Sequence, residues 1–227
     1  MSKLPRQIWI LALGRLLSEI GSGFTIFYAP IFFVQQVGLS ATSVGLALGS
    51  ASISGIAGRL ISGTYADRWG RKPVLLLATF VLAIACFILS ITNDFPTLIV
   101  GCLVQGLGLG LYWPANEAIV ADLTTGEDRR FAYAITRLAD NLGMGLGIIA
   151  GGLLISATGA YRNLFIIDGI SFCCFFITIV LGIRETLQPH KIAPQFISGY
   201  TTALRDRRLL VYVLVNIILT VIFLKLK

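Results

Sequence analysis

Histidine is nearly absent from this chain of 227 residues: His190 is its single copy, in a polar stretch between Pro189 and Pro194. With no histidine in an apolar run, imidazole-based metal binding or nucleophile activation has almost nothing to work with. Neither an H-E-x-x-H motif nor a nucleotide-binding glycine loop occurs. The expectation is therefore no enzyme, no metal and no cofactor. Charge is scarce too: 13% of residues are Asp, Glu, Lys or Arg, against about 25% in soluble domains. With 56% hydrophobic residues and a mean hydropathy of +0.85, a soluble core is excluded. The formal charge of +7 does not point to nucleic acid, because the cations sit in short clusters between apolar runs. The four cysteines (Cys86, Cys102, Cys173, Cys174) fall inside those runs, where they act as small buried hydrophobes rather than a disulfide or zinc set. The basic start (Lys3, Arg6) leads into a run far longer than a signal h-region with no small-residue cleavage site after it, so the first run is expected to be retained.

Long hydrophobic runs are what the chain does have. A helix needs about 20 apolar residues to cross the hydrocarbon core. Six runs qualify, roughly 8–34, 43–65, 74–92, 96–121, 131–158 and 163–183, and a seventh begins near Leu209 and stops at Lys227. Lys3 and Arg6 precede the first run. Arg68, Arg71 and Lys72 follow the second, Arg129 and Arg130 the fourth, and Arg184, Lys191, Arg205, Arg207 and Arg208 the sixth. The alternate connections (35–42, 93–95, 159–162) hold one cation, Arg162. Lysine and arginine excess marks the cytoplasmic side, which predicts a cytoplasmic N-terminus in a cell (inner or plasma) membrane. The domain reading is a six-span bundle at 1–183, a cytoplasmic linker at 184–208 and a partial seventh span at 209–227.

An internal likeness runs through the spans. Gly21-Ser-Gly23 followed by Pro30 in the first is echoed by Gly106, Gly108 and Gly110 followed by Pro114 in the fourth. Gly63, Gly70 and Arg71 after the second match Gly152, Gly159 and Arg162 after the fifth. Three spans on, the chain is at the opposite membrane face, so the pattern predicts an inverted three-plus-three repeat, a hallmark of secondary transporters.

Between the second and third spans stands Gly63-Thr-Tyr-Ala-Asp67-Arg68-Trp-Gly70-Arg71-Lys72-Pro73. It fills every fixed position of G-x-x-x-D-R-x-G-R-K, and the chain resembles the major facilitator superfamily on that signature. Gly143, Gly147, Gly151 and Gly152 match a second signature, G-x-x-x-G-P-x-x-G-G, of drug:proton antiporters, with Ile148 in the proline position. A third motif, R-x-x-Q-G in span four, keeps Gln105-Gly106 but has Cys102 where the family's proton-coupling arginine stands. The resemblance implies an all-α integral membrane fold: the six-helix N-terminal bundle of a major facilitator with its 3+3 inverted repeat, plus a partial seventh helix. It also implies a missing C-terminal half as partner.

The candidate residues divide into four groups. Gly63, Asp67, Arg68, Gly70, Arg71 and Asp122 form a gating or signature loop, in which Asp67 and Arg71 dock against neighbouring helix ends and Asp122 pairs with Arg71; the bland alternative is a topogenic loop. Arg15 with Glu19 (four apart) and Arg137 with Asp140 (three apart) lie as pairs on one helix face each. With Glu117 and Asn141 they form a proton or substrate path, because an ionised group in mid-membrane costs about 3 kcal/mol; purely structural ion pairs are the alternative. Phe24, Tyr112 and Trp113 are candidate cavity lining or interface anchors. Gly143, Gly147, Gly151 and Gly152 form a helix-packing stripe.

The function expected from these features is proton-coupled efflux of small amphipathic or drug-like compounds by alternating access. Its partners would be a small-molecule substrate, protons and the lipid bilayer. A metabolite or sugar-type carrier, or an inactive truncated membrane fragment, remains the alternative.

Overall fold

The computed structural model describes residues 4–187 together with 207, 211–212, 214–216 and 219. Up to residue 187 the chain forms six helices: α1 (Arg6–Gln35), α2 (Ala41–Arg68), α3 (Arg71–Ile91), α4 (Phe95–Leu123), α5 (Gly126–Thr158) and α6 (Tyr161–Gly182). All six are long and apolar enough to cross a membrane. They are the six apolar runs, lengthened by a few polar residues at most ends. Two of the starts are capped by side chains, since orphan amides at a helix start need acceptors. Ser40 accepts from Ser43 N at 3.1 Å at the head of α2, and Asp94 accepts from Thr97 N at 2.8 Å at the head of α4. Gly159 closes α5 in the left-handed conformation (φ 65°) that glycine adopts without strain.

The Asp94 cap has a pH signature. The Thr97 amide holds its carboxyl below the usual range. A depressed folded-state pKa means the cap stabilises fully above the unfolded pKa and is lost as pH falls through the folded one. The protection of the Thr97 amide against hydrogen exchange, relative to its intrinsic rate at each pH, should therefore fall in acid, and Asp94→Ala should remove that pH dependence.

Residues up to 188 form one compact unit, and 189–227 form another. Most of the linker read at 184–208 and of the seventh span at 209–227 lies outside the described residues; 211–212, 214–216 and 219 are helical.

Within the first unit, α1 packs on α5 and α6, α4 packs on α2 and α3, and α3 packs on α6. Exchanging α1 with α4, α2 with α5 and α3 with α6 maps this set of contacts onto itself, as a three-plus-three repeat requires. Both intimate pairs, α1 with α5 and α2 with α4, run parallel and meet on glycines. A methyl group on Gly143 would stand 2.6 Å from the Leu16 carbonyl oxygen, and one on Gly58 would stand 2.5 Å from that of Leu107. Gly147 and Gly106 are tighter still, against the carbonyls of Ile20 and Ala51. In lipid, where apolar side chains gain little by meeting each other, close backbone approach supplies the attraction between helices. Gly151 and Gly152 complete the α5 stripe against Phe24 and Tyr28. Helix α5 runs unbroken past Ile148, whose carbonyl accepts from the Tyr28 hydroxyl at 3.0 Å.

Aromatic residues Phe32, Phe33 and Phe165 gather in one apolar cluster with Leu89, Leu98 and Cys102. The larger cluster centres on Leu75, Ala78, Leu82, Cys86, Phe175 and Ile179. Two cysteine expectations need correcting: Cys86 and Cys102 are buried, but Cys173 and Cys174 lie on the outer face of α6. The face that α6 turns to its neighbours runs through Leu164, Phe165, Asp168, Phe172, Phe175 and Ile179 at spacings of one to four, and both cysteines fall in the gap between Phe172 and Phe175.

Candidate functional site

Arg15, fully buried on α1, is the centre of the charged cluster. The sequence pairs it with Glu19 one turn along, but the fold pairs it across helices. Arg15 Nε donates to Asp140 Oδ1 at 2.8 Å and Nη2 donates to Asp140 Oδ2 at 2.5 Å. Nη2 also reaches Glu117 Oε1 at 3.4 Å. The reason is geometric: the glycine stripe brings α5 against α1, so Asp140 meets the guanidinium fork in the bidentate arrangement it favours. Arg137, half exposed, contacts Glu117 Oε1 at 3.3 Å and lies 3.9 Å from Asp140 Oδ2. The expected pair on α5 is thus the weaker arm of one network joining α1, α4 and α5. The Trp113 ring packs against both guanidiniums, 5.4 Å from Arg15 and 5.1 Å from Arg137.

Other residues fall differently from expectation. Glu19 is buried beside Asp140, and no side chain among the described residues hydrogen-bonds its carboxylate. Asn141 does not join the network: it points outward and donates to the Arg137 carbonyl at 2.7 Å. Phe24 and Tyr112 line no open cavity here; Phe24 is packed against Gly151, and Tyr112 lies in the large apolar cluster against Phe175. Of the three aromatics only Trp113 reaches a partly open face.

Two membrane-level charges escaped the sequence reading. Asp168 on α6 is buried against Gly21 of α1 and accepts from the Cys86 thiol at 3.4 Å. Arg59 on α2 lies beside a groove of about 370 Å³ between α2 and α4, with no ion pair among the described residues. The rule that singled out Arg15 and Glu19, a charge inside an apolar run, applied equally to both.

The signature motif forms no long loop. Helix α2 extends to Arg68 and α3 starts at Arg71, so only Trp69 and Gly70 turn the chain. Gly70 has φ 114°, a conformation open to glycine alone at little strain. Arg71 pairs with Asp67 one turn back and donates from Nε to Asp122 Oδ2 at 3.2 Å. Asp67, exposed, takes no helix-terminal amide among the described residues. That task falls to Glu185, just past α6, whose two oxygens accept from Arg71 N at 2.9 Å and Lys72 N at 3.1 Å. Thr186 donates to Asp122 at 3.2 Å, and Lys72 Nζ donates to the Val180 carbonyl at 3.0 Å. A carboxylate suits the positive start of a helix, but its sequence distance from the motif hides it. Arg68 is exposed without an ion pair among the described residues, and Gly63 lies inside α2. Glu185→Ala is expected to accelerate hydrogen exchange at the Arg71 and Lys72 amides while leaving mid-helix α3 amides protected.

Comparison with known proteins agrees with this architecture. The Major Facilitator Superfamily profile matches residues 11–225. Multidrug resistance protein MdtH of Blochmanniella pennsylvanica (strain BPEN) is 28% identical over 186 residues, 81% of this chain and 44% of that protein. MdtH of Yersinia enterocolitica is 27% identical over 214 residues, covering 91% and 51%. MFS-type transporter YttB of Bacillus subtilis (strain 168) is 27% identical over 182 residues, covering 80% and 45%. Among solved structures, the human organic anion transporter MFSD10 (TETRAN) superposes with a TM-score of 0.68 at 20% identity, covering 84% of this chain and 50% of that one. A peptide transporter POT in complex with sulfate gives 0.66 at 18%, covering 95% and 46%. The chain spans about half the length of the curated relatives it matches. A six-helix bundle with internal three-plus-three symmetry, the complete signature between α2 and α3, and a profile match over nearly its whole length place this multi-span membrane protein in the major facilitator superfamily.

Proposed function

We propose that this bundle is the N-terminal half of a secondary transporter that exports small amphipathic or drug-like compounds across the plasma membrane in exchange for protons. Its N-terminus would lie in the cytoplasm, as the arginine and lysine distribution suggests. A C-terminal bundle would supply the other wall of the substrate cavity, and the two would rock about a site near the midplane.

The observation that carries this reading is the charged network of Arg15, Asp140, Glu117 and Arg137 with Glu19 beside it. Ionisable groups at membrane depth mark ion or substrate paths by default. The two carboxylates are unequal. Asp140 is held by two hydrogen bonds from Arg15, whereas Glu19 has none to break. Glu19 is therefore the proton carrier and Asp140 its anchor, with Arg15 supplying the cation that Cys102, sealed in an apolar cluster, does not. The names of the MdtH relatives support drug-like substrates. Nearer the helix ends on the same side, opening of the Arg71–Asp122 and Glu185 contacts would accompany the change of access.

The test is substrate-dependent proton flux in liposomes. Glu19→Gln is expected to lower it tenfold or more, and Asp140→Asn to weaken it as well; normal flux in both variants sinks the reading.

A further inference from the structure

Arg59 is the charge that the rest of the bundle leaves over. It is exposed on α2, and no carboxylate among the described residues pairs with it. The acids on the two helices around it are already taken: Asp67 and Asp122 pair with Arg71, and Glu117 pairs with Arg15 and Arg137. The internal repeat points the same way. The offset that carries Gly63 to Gly152 and Gly70 to Gly159 also carries Ala51 to Asp140. Where α5 presents an acid to α1, α2 presents only Ala51 to Gly106 of α4.

Depth makes such a cation costly to leave alone. Helix α2 has 28 residues and is about 42 Å long, so its midpoint falls at Ser54 and Gly55. Arg59 then sits about 7 Å from the membrane midplane, roughly 8 Å inside the hydrocarbon boundary. Lipid phosphates lie beyond that boundary, past the polar end of α2 at Arg68. Helical side chains tilt toward the helix start, away from that end. The groove of about 370 Å³ at Arg59 runs in the same direction: its other α2 residues, Ala51, Ser52, Gly55 and Ile56, all precede Arg59. Glycine keeps the α4 wall bare, since a methyl on Gly110 would stand 3.0 Å from the Arg59 backbone nitrogen. A cleft of this size holds a small ligand. A guanidinium at one end and aliphatic walls from Ile56 and Leu109 complement a molecule with an acidic head and an apolar body.

We infer that the α2–α4 groove binds an amphipathic organic anion, its carboxylate or sulfonate head on the Arg59 fork and its apolar body against Ile56 and Leu109. This names a substrate class for the exporter proposed above and rests on that reading. Arg59 selects for negative charge, and the groove selects for a flat or narrow body that fits between the helices.

The experiment labels the full chain, reconstituted in phosphatidylcholine vesicles, with a naphthoate carrying a photoreactive diazirine, and maps the adducts by peptide mass spectrometry. Saturable labelling is expected on 51–56 and 106–110, at least tenfold stronger than with the naphthylmethylammonium analogue. Arg59→Gln should weaken it tenfold or more, and Arg59→Lys less, because lysine keeps the charge but not the fork. Ser52→Phe keeps the guanidinium but fills the groove from an exposed position, and should weaken labelling as much as Arg59→Gln. Helical circular dichroism should be unchanged in all three variants. Native affinity in Arg59→Gln or in Ser52→Phe overturns the site, as do adducts that fall outside α2 and α4. Displacement of the naphthoate by a few phosphatidylglycerol molecules per chain also overturns it, by assigning Arg59 to a lipid headgroup. Substrate-dependent proton flux with labelling indifferent to Arg59 overturns the anion site alone. Arg59-dependent labelling with normal flux in both Glu19→Gln and Asp140→Asn supports the site while sinking the exporter.

Discussion

Arg15→Leu is expected to be the most damaging single substitution in the bundle, costing about 3–5 kcal/mol, the usual penalty for removing one partner of a buried ion pair. Arg15 is fully buried and supplies both hydrogen bonds to Asp140. Without it, Asp140 keeps only the half-exposed Arg137 guanidinium at 3.9 Å, and Glu19 loses its nearest cation. The double variant Arg15→Leu/Asp140→Leu should recover most of the loss, because an apolar pair of similar volume leaves no uncompensated charge. Arg137→Leu should cost under about 1 kcal/mol, the range of exposed pairs. Thermal unfolding in detergent checks all three. A double variant as unstable as Arg15→Leu alone would mean that the guanidinium stabilises through some contact other than Asp140.

The second large effect lies in the glycine contacts. Alanine at Gly147 or Gly106 places a methyl group against a backbone carbonyl, Ile20 in one case and Ala51 in the other. Backbone has no rotamer into which to retreat, so the helices themselves must part. Overpacking of this kind costs about 1–3 kcal/mol, and at Gly147 it also weakens the polar network, since α1 and α5 carry both the glycine contact and the Arg15–Asp140 pair. Gly145 provides the control on the same helix: a methyl there meets nothing within 4 Å. Gly145→Ala should therefore gain up to about 1 kcal/mol from helix propensity alone. Unfolding midpoints that fall for Gly147→Ala and hold or rise for Gly145→Ala would bear this out. Equal effects at both positions would show that the stripe is not what joins α1 to α5.

The two effects share a cause. Gly143 and Gly147 let α5 approach α1, and that approach turns Arg15 away from Glu19 toward Asp140. Spacing along one helix suggested two local pairs. A guanidinium fork, however, is satisfied best by a carboxylate presented head-on from a neighbouring helix, and no single-helix pattern contains that information. The same holds for Glu185, separated by more than a hundred residues from the amides it caps.

Composition and periodicity alone determined that this chain spans a membrane six times within its first 183 residues, because helix length, apolar content and cation placement are properties of contiguous segments. The signature between α2 and α3 added the family, and its Arg71–Asp122 contact was legible because both residues sit at helix ends on one side. Only the tertiary structure decided which charges meet, that Phe24 and Tyr112 are packed rather than open, and that Asp168 and Glu185 belong beside the residues the sequence had singled out. Burial and partnership depend on which helix faces lie against each other, and here that is fixed by backbone contacts at glycines that carry no side-chain signal of their own.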